Sequence, residues 1–303
     1  MWIEGVTKAK EFVKAFMTEI SSVEGITVVY PTGGEIVNKA IAKIVTSFGK
    51  TFYLMVEKGE DTYNHVMCQI GTNLNETGDD FADGKCSEKA RFAWYIENPN
   101  LFIGDWLPVQ YWMKVEKDSI NVVVQGDPTT DQAPYNNYLI SYGYFGTVDG
   151  YEGADADTDY NFAMTVSSDI AVKNYSTKFG LNTGTGVTDI VMVGTRTGAP
   201  YQRHNPAFHT ANPFMDKNFI SSSAWTHKYH ASDITVVHAY DRERGKLKNV
   251  LAMDKSAVFH QDELVMDKGK ETEKTYKFFN INAPYSLFEN SANVLYGLAL
   301  RKK

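Results

Sequence analysis

Short runs of β-branched and aromatic residues recur along this chain, each closed by Gly, Pro, Asn or Asp, and that rhythm limits the folds open to it. Examples are Ile26–Tyr30, Phe48–Val56, Tyr63–Ile70, Ala90–Ile96, Val109–Val115, Ser119–Val124, Tyr138–Tyr144 and Asn161–Ser167. Strands this short and regularly spaced predict an antiparallel, mainly β architecture, a β-rich α+β fold whose body is a sandwich or a barrel. Val109–Val115 and Ser119–Val124 are separated by Glu116-Lys117-Asp118, a length suited to a hairpin. Trp112, Val115, Ile120, Val122 and Val124 are then expected to supply much of one buried face. Ile36–Thr46 fits a helix or a strand.

One amphipathic helix stands out, over Thr7–Ser21, where Phe12, Val13, Phe16, Met17 and Ile20 recur at helical spacing. Lys8, Lys10, Glu11, Lys14 and Glu19 fill much of its other surface, and Glu24-Gly25 marks its end. From about Asp169 to Trp225 the alternation thins, and Gly, Thr, Asn and Pro dominate except in Asp189–Val193. Gly180–Gly186, Arg196–Pro200 and His204–Asn218 read as long irregular loops, which in a folded chain are functional, mobile or buried at an interface. Strand patterns return at Ile234–His238, Asn249–Met253 and Val294–Leu300, with the charged stretch Asp262–Lys274 between them. The organisation expected is 1–168, an N-terminal helix plus a β-rich domain, and 169–303, a loop-rich segment and C-terminal β region. The two are either separate or packed into one domain.

Charge and chemistry exclude several functions. Lys and Arg total 30 against 37 Asp and Glu, a formal charge of −7, and no basic stripe is present to grip nucleic acid. No run of about 18 apolar residues occurs, so no membrane-spanning helix is expected. Met1–Gly5 lacks a basic region followed by an apolar stretch, so no secretory signal is expected either. The two cysteines, Cys68 and Cys86, are too few for a disulfide framework, and a single bridge or two buried thiols are both open.

The candidate metal loop is Asp155-Ala-Asp157-Thr-Asp159-Tyr-Asn161, whose alternating oxygen-bearing residues suit a hard cation such as Ca2+. It departs from an EF-hand loop in having Tyr160 at the sharp turn and Val166 at the twelfth position, so a solvated acidic turn is the competing reading. His204 and His209, His227 and His230, and the separate His238 and His260 do not assemble a zinc-ligand pattern. Gly180–Gly186 lacks the Gly-Lys-Ser/Thr ending of a phosphate loop, no Gly-x-Ser-x-Gly elbow occurs, and neither cysteine lies in a Cys-x-x-Cys motif. No catalytic centre is expected.

Aromatic residues are abundant, with 18 Tyr, 17 Phe and 5 Trp. They cluster at Phe92–Tyr95, Tyr111-Trp112, Tyr135–Tyr144 and Trp225–Tyr229, as core filling or as subunit contacts. Trp225, Tyr229 and Arg244 are the candidate interface residues, the last within Asp241–Lys248, which reads as a solvated turn or as charged register between subunits.

Several segments resemble virion structural proteins of tailed bacteriophages that infect Gram-positive bacteria. They are Gly184–Gln202, Ser223–His230, Val236–His238, Asp241–Gly245, Leu107–Val115, Ile120–Asp127 and Asn290–Arg301. The resemblance implies a non-enzymatic particle component of the tail, baseplate or adsorption apparatus, located in the virion and assembled in the host cytoplasm. Its implied partners are other virion proteins, copies of itself and the host surface. The alternatives are a receptor- or glycan-binding module, a neck or capsid-decoration protein, and a virion-associated cell-wall hydrolase.

Overall fold

The structure is a computed structural model that describes residues 1–59, 63–95, 104–127, 140–150, 162–166, 190–194, 202–207, 219–221, 228–238, 242–254, 258–281 and 296–303. The chain runs through β1 (Trp2–Lys8), a 3-10 turn (Ala9–Glu11), α1 (Phe12–Ser21), β2 (Ile26–Tyr30), β3 (Lys39–Val45), β4 (Thr51–Lys58), β5 (His65–Gly71) and β6 (Ala90–Ala93). It continues with β7 (Pro108–Glu116), β8 (Ser119–Gly126), β9 (Ile140–Thr147), β10 (Phe162–Val166), β11 (Ile190–Val193) and β12 (Gln202–Ala207). It closes with β13 (Phe219–Ser221), β14 (Lys228–His238), β15 (Arg242–Asp254), β16 (Glu263–Met266), β17 (Lys274–Phe279) and β18 (Tyr296–Arg301). The fold is mainly β, antiparallel, with one short N-terminal helix.

Both architectures left open by the sequence are present, one packed on the other. β2-β3-β4-β5-β6 form a 5-stranded sheet, and β1-β7-β8-β9-β10-β11 form the first part of a 13-stranded sheet. β12 pairs with β11 through Gln202–His204 and with β14 through Asn205–Ala207, and so carries the sheet into the C-terminal strands. There β14, β13, β16, β17, β18 and β15 follow one another, and β15 pairs back to β14 to close a barrel.

The period-2 pattern of the strands explains how the layers meet. On β7 and β8 the side chains of Tyr111, Met113, Val115, Ile120, Val122 and Val124 face the 5-stranded sheet and α1, in a core with Phe12, Phe16, Leu54 and Phe92. The alternate residues Trp112 and Val123, with Tyr142 and Tyr144 of β9, face the barrel and pack on Val250, Phe279, Leu298 and Leu300. The barrel interior is filled by the opposite parity, Leu251, Met253, Tyr276, Phe278 and Ala299. β8 and β9 are therefore buried along their whole length. At roughly 25 cal/mol per Å² of apolar surface removed from water, covering two faces of one sheet is the main stabilising term.

Several expectations change. Trp112 does not share a face with Val115 and Ile120: even and odd positions of β7 point to opposite sides, and Trp112 belongs to the barrel side. The helix begins at Phe12, not Thr7, because Thr7 and Lys8 pair with Val109 and Pro108 at the end of β1. All five apolar residues assigned to the helix face are buried. Ile36–Thr46 resolves as strand β3, and the hairpin turn between β7 and β8 is only Lys117-Asp118. Within Asp169–Trp225, read as irregular outside Asp189–Val193, the chain forms β12 and β13, so His204 sits in a strand opposite Ile190. Asp241–Lys248 is no simple turn: Arg242 onward is strand, bent where Asn249 adopts φ 63. The charged stretch Asp262–Lys274 holds β16 and a turn at Asp267 (φ 54) and Gly269 (φ 80).

Candidate functional site

Among the described residues, two buried polar junctions tie the barrel to the sandwich, besides the exposed Glu4–Lys277 ion pair at 3.4 Å. The first is centred on the β7–β8 turn. Asp118 accepts hydrogen bonds from the Ser47 amide at 2.7 Å and from the Ser47 hydroxyl, which secures the β3–β4 turn of the 5-stranded sheet. Its own carbonyl accepts from the Thr147 amide at 2.8 Å. On the barrel side, Lys248 Nζ lies 3.2 Å from Asp149 and 4.0 Å from Asp118. The β7–β8 turn thus touches all three layers.

Next to it, Asn121 Nδ2 donates to the Lys248 carbonyl at 3.0 Å while Asn121 Oδ1 accepts from the Tyr142 hydroxyl at 2.7 Å. The Tyr144 hydroxyl donates to the Thr147 carbonyl and accepts from the Lys248 amide at 3.3 Å. Asn249 Nδ2 reaches Glu116 Oε2 at 2.9 Å and Ser119 Oγ at 3.1 Å. Asp149 and Lys246 exchange backbone bonds, both 2.9 Å, which zips the start of β15 to the chain just after β9. Gly245 is required there: at φ +144 a Cβ would lie 2.2 Å from the Asp149 carbonyl oxygen.

The electrostatics match a holding role. Burial pushes the Tyr142 and Tyr144 phenols well up, so both remain proton donors. Burial disfavours the Glu116 carboxylate, but hydrogen bonds from Asn249 and Lys114 and the Lys114 charge outweigh it and hold its carboxyl below the usual range. Each satisfied bond is worth only about 1 kcal/mol net, yet orphaning a buried partner costs about 1–3 kcal/mol, so the network specifies one docking geometry.

The second junction is His260, on the segment before β16. Its Nδ1 accepts from the Asn280 amide at 3.2 Å, which leaves Nε2–H to donate to Gln125 Oε1 of β8 at 2.8 Å. The ring packs edge-on against Phe279, centroids 5.9 Å apart. Burial, with a smaller contribution from the Lys277 charge, pushes its pKa down to about 4, so the imidazole is neutral at pH 7.

The residues singled out by sequence are dispersed. Asp155, Asp157, Asp159 and Asn161, the candidate Ca2+ ligands, lie outside the described residues, as do Trp225, His209 and His227. Tyr229 is on β14 opposite Ile220, and Arg244 is half-buried on β15. Among the described residues no group of three or more His, Cys, Asp or Glu is placed to hold a metal ion. No described helix is long and apolar enough to cross a membrane. Cys68 and Cys86 are free thiols; Cys68 is buried on β5, and burial pushes its pKa far up, which makes it a poor nucleophile. Sequence reasoning missed the junction residues. The signal was there in Asn121 and Gln125, which share one face of β8 with Val123 and sit in a run of valines.

No protein-family model matches this chain, and no curated protein matches it in sequence.

Proposed function

We propose that this chain is a non-enzymatic structural subunit of a tailed-phage virion, in the tail, baseplate or adsorption apparatus, acting through contacts with other virion proteins and copies of itself. The observation that carries it is the resemblance of the segments around Gly184–Gln202, Ser223–His230 and Asn290–Arg301 to virion proteins. The body supports the reading physically. Its buried polar groups fasten layers to one another, as at Asn121, Tyr142 and His260, which suits a part that transmits load between neighbours. Trp225, Tyr229 and Arg244 are the positions assigned to subunit contact. Gold-labelled antibody against the chain, applied to purified particles from the phage that encodes it, is expected to decorate tails or their ends. Unlabelled particles, with the antibody binding only free protein in the lysate, would contradict the proposal.

Exposed aromatic side chains favour a second reading, a receptor- or glycan-binding module of the same apparatus. Phe259 is 82% exposed and Trp106 is 49% exposed, and both present apolar faces to solvent. Purified chain that binds host cells, and loses binding on Phe259→Ala or Trp106→Ala, would establish that reading.

A further inference from the structure

β1 is the outer strand of the 13-stranded sheet: it pairs with β7, and no described strand pairs with its other edge. Its two ends fix which amides face outward. Met1 and Val115 exchange backbone bonds of 2.6 and 2.9 Å, and the Ala9 amide donates to the Leu107 carbonyl at 2.8 Å. Antiparallel ladders alternate, so odd-numbered positions bond to β7, and the N–H and C=O groups of Trp2, Glu4 and Val6 and the N–H of Lys8 point off the free edge, the Lys8 carbonyl being taken by the 3-10 turn that it caps. The register with β7 runs unbroken from Trp2 to Lys8, without the bulge or proline that commonly blunts an edge. Glu4 and Lys8 are exposed, and Val6 is 64% exposed, unusual for a valine in a strand.

This edge is complementary to itself. Two copies set antiparallel about Val6 place Val6 against Val6, Glu4 against Lys8 of the second copy, and Lys8 against Glu4 of the second copy. All three pairings join positions whose amides already point outward: Val6 and Val6 exchange both backbone bonds, and each Glu4–Lys8 pair adds one, from the Lys8 N–H to the Glu4 carbonyl. Sliding one copy by two residues in either direction puts Val6 opposite a charge, so the charges and the valine agree on one register. Met1, 48% exposed, adds an apolar side chain at the start of the same strand.

We propose that β1 is the seam along which two copies of this chain join, antiparallel about Val6, so that their sheets run on into one. The inference deepens the assembly reading and rests on it for the choice of a second copy as partner.

The test is a charge swap read by solution mass, using light scattering or native mass spectrometry across a dilution series. Wild type is expected to dimerise. Glu4→Lys and Lys8→Glu each set like charges together twice per dimer and are expected to raise the dimer dissociation constant about tenfold or more. An equimolar mixture of the two variants restores opposite charges at both flanking pairs and is expected to form a mixed dimer that neither makes alone. Circular dichroism and melting check that each variant is folded. Glu4 also lies 3.4 Å from Lys277 within its own chain, so Lys8→Glu is the cleaner single change. Variants that associate as wild type does would overturn the β1 seam and leave the assembly reading intact, with another surface responsible. A wild type that stays monomeric throughout also overturns the seam, and particle labelling then decides the assembly reading separately.

Discussion

His260 makes the attachment of the barrel sensitive to acid, in a way that can be worked out from its contacts. In the folded chain Nδ1 faces the Asn280 amide, so a second ring proton would meet another donor, and burial and the Lys277 charge add to the cost. The folded pKa is pushed down from 6.5 to about 4, while the unfolded chain titrates near the ordinary value. Between those limits the unfolded chain binds more protons, so stability falls as pH falls; above about 6.5 the group contributes no slope. At about 1.4 kcal/mol per pH unit, the loss from pH 7 to pH 4 is at most about 3 kcal/mol. Urea unfolding followed by tryptophan fluorescence at several pH values measures it, against His260→Gln, which keeps a donor toward Gln125 and cannot titrate. Carboxylates such as Glu116 contribute alike to both proteins and cancel in the difference. The wild type is expected to lose about 2–3 kcal/mol more than the variant over this range. A flat difference, or a wild type that gains stability on acidification, would refute the reasoning.

Two further perturbations separate the junctions from the core. Gly245→Ala forces a Cβ onto the Asp149 carbonyl and is expected to cost about 2–4 kcal/mol in denaturant unfolding, whereas Gly150→Ala, whose Cβ would meet no atom of the described residues within 4 Å, should cost about 0.5 kcal/mol or less. Phe12→Ala removes a buried ring whose centroid lies 4.7 Å from that of Trp94 and 5.9 Å from that of Phe16. It is expected to cost about 3–5 kcal/mol and to change the near-ultraviolet dichroism of the surrounding aromatic cluster.

What local pattern reveals here is the strands, and what it hides is how their faces are used. The alternation in Val109–Val115 and Ser119–Val124 shows a hairpin, and the structure contains it. The same alternation makes Asn121 and Gln125 look like a solvent face, yet both are buried because the barrel, formed by residues more than a hundred positions later, covers that side. β1 was concealed by the helix after it: the helical spacing extends back over Thr7, and only pairing with Val109 decides for strand. β16 was concealed by charge, because it lies within Asp262–Lys274 and buries only Leu264, while its partner β17 buries Tyr276, Phe278 and Phe279. Asn249 shows how little of the joint is local. Its φ of 63 bends β15, and its side chain reaches Glu116 and Ser119 across the layer boundary.

Copy number in the particle tests the proposed virion role most directly. Quantitative peptide mass spectrometry of density-purified virions, referenced to a capsid protein of known stoichiometry, would count this chain per particle before and after tails are detached. A structural subunit predicts a fixed, reproducible number of copies that leaves with the tail fraction. Trace amounts that vary between preparations and wash away would contradict it.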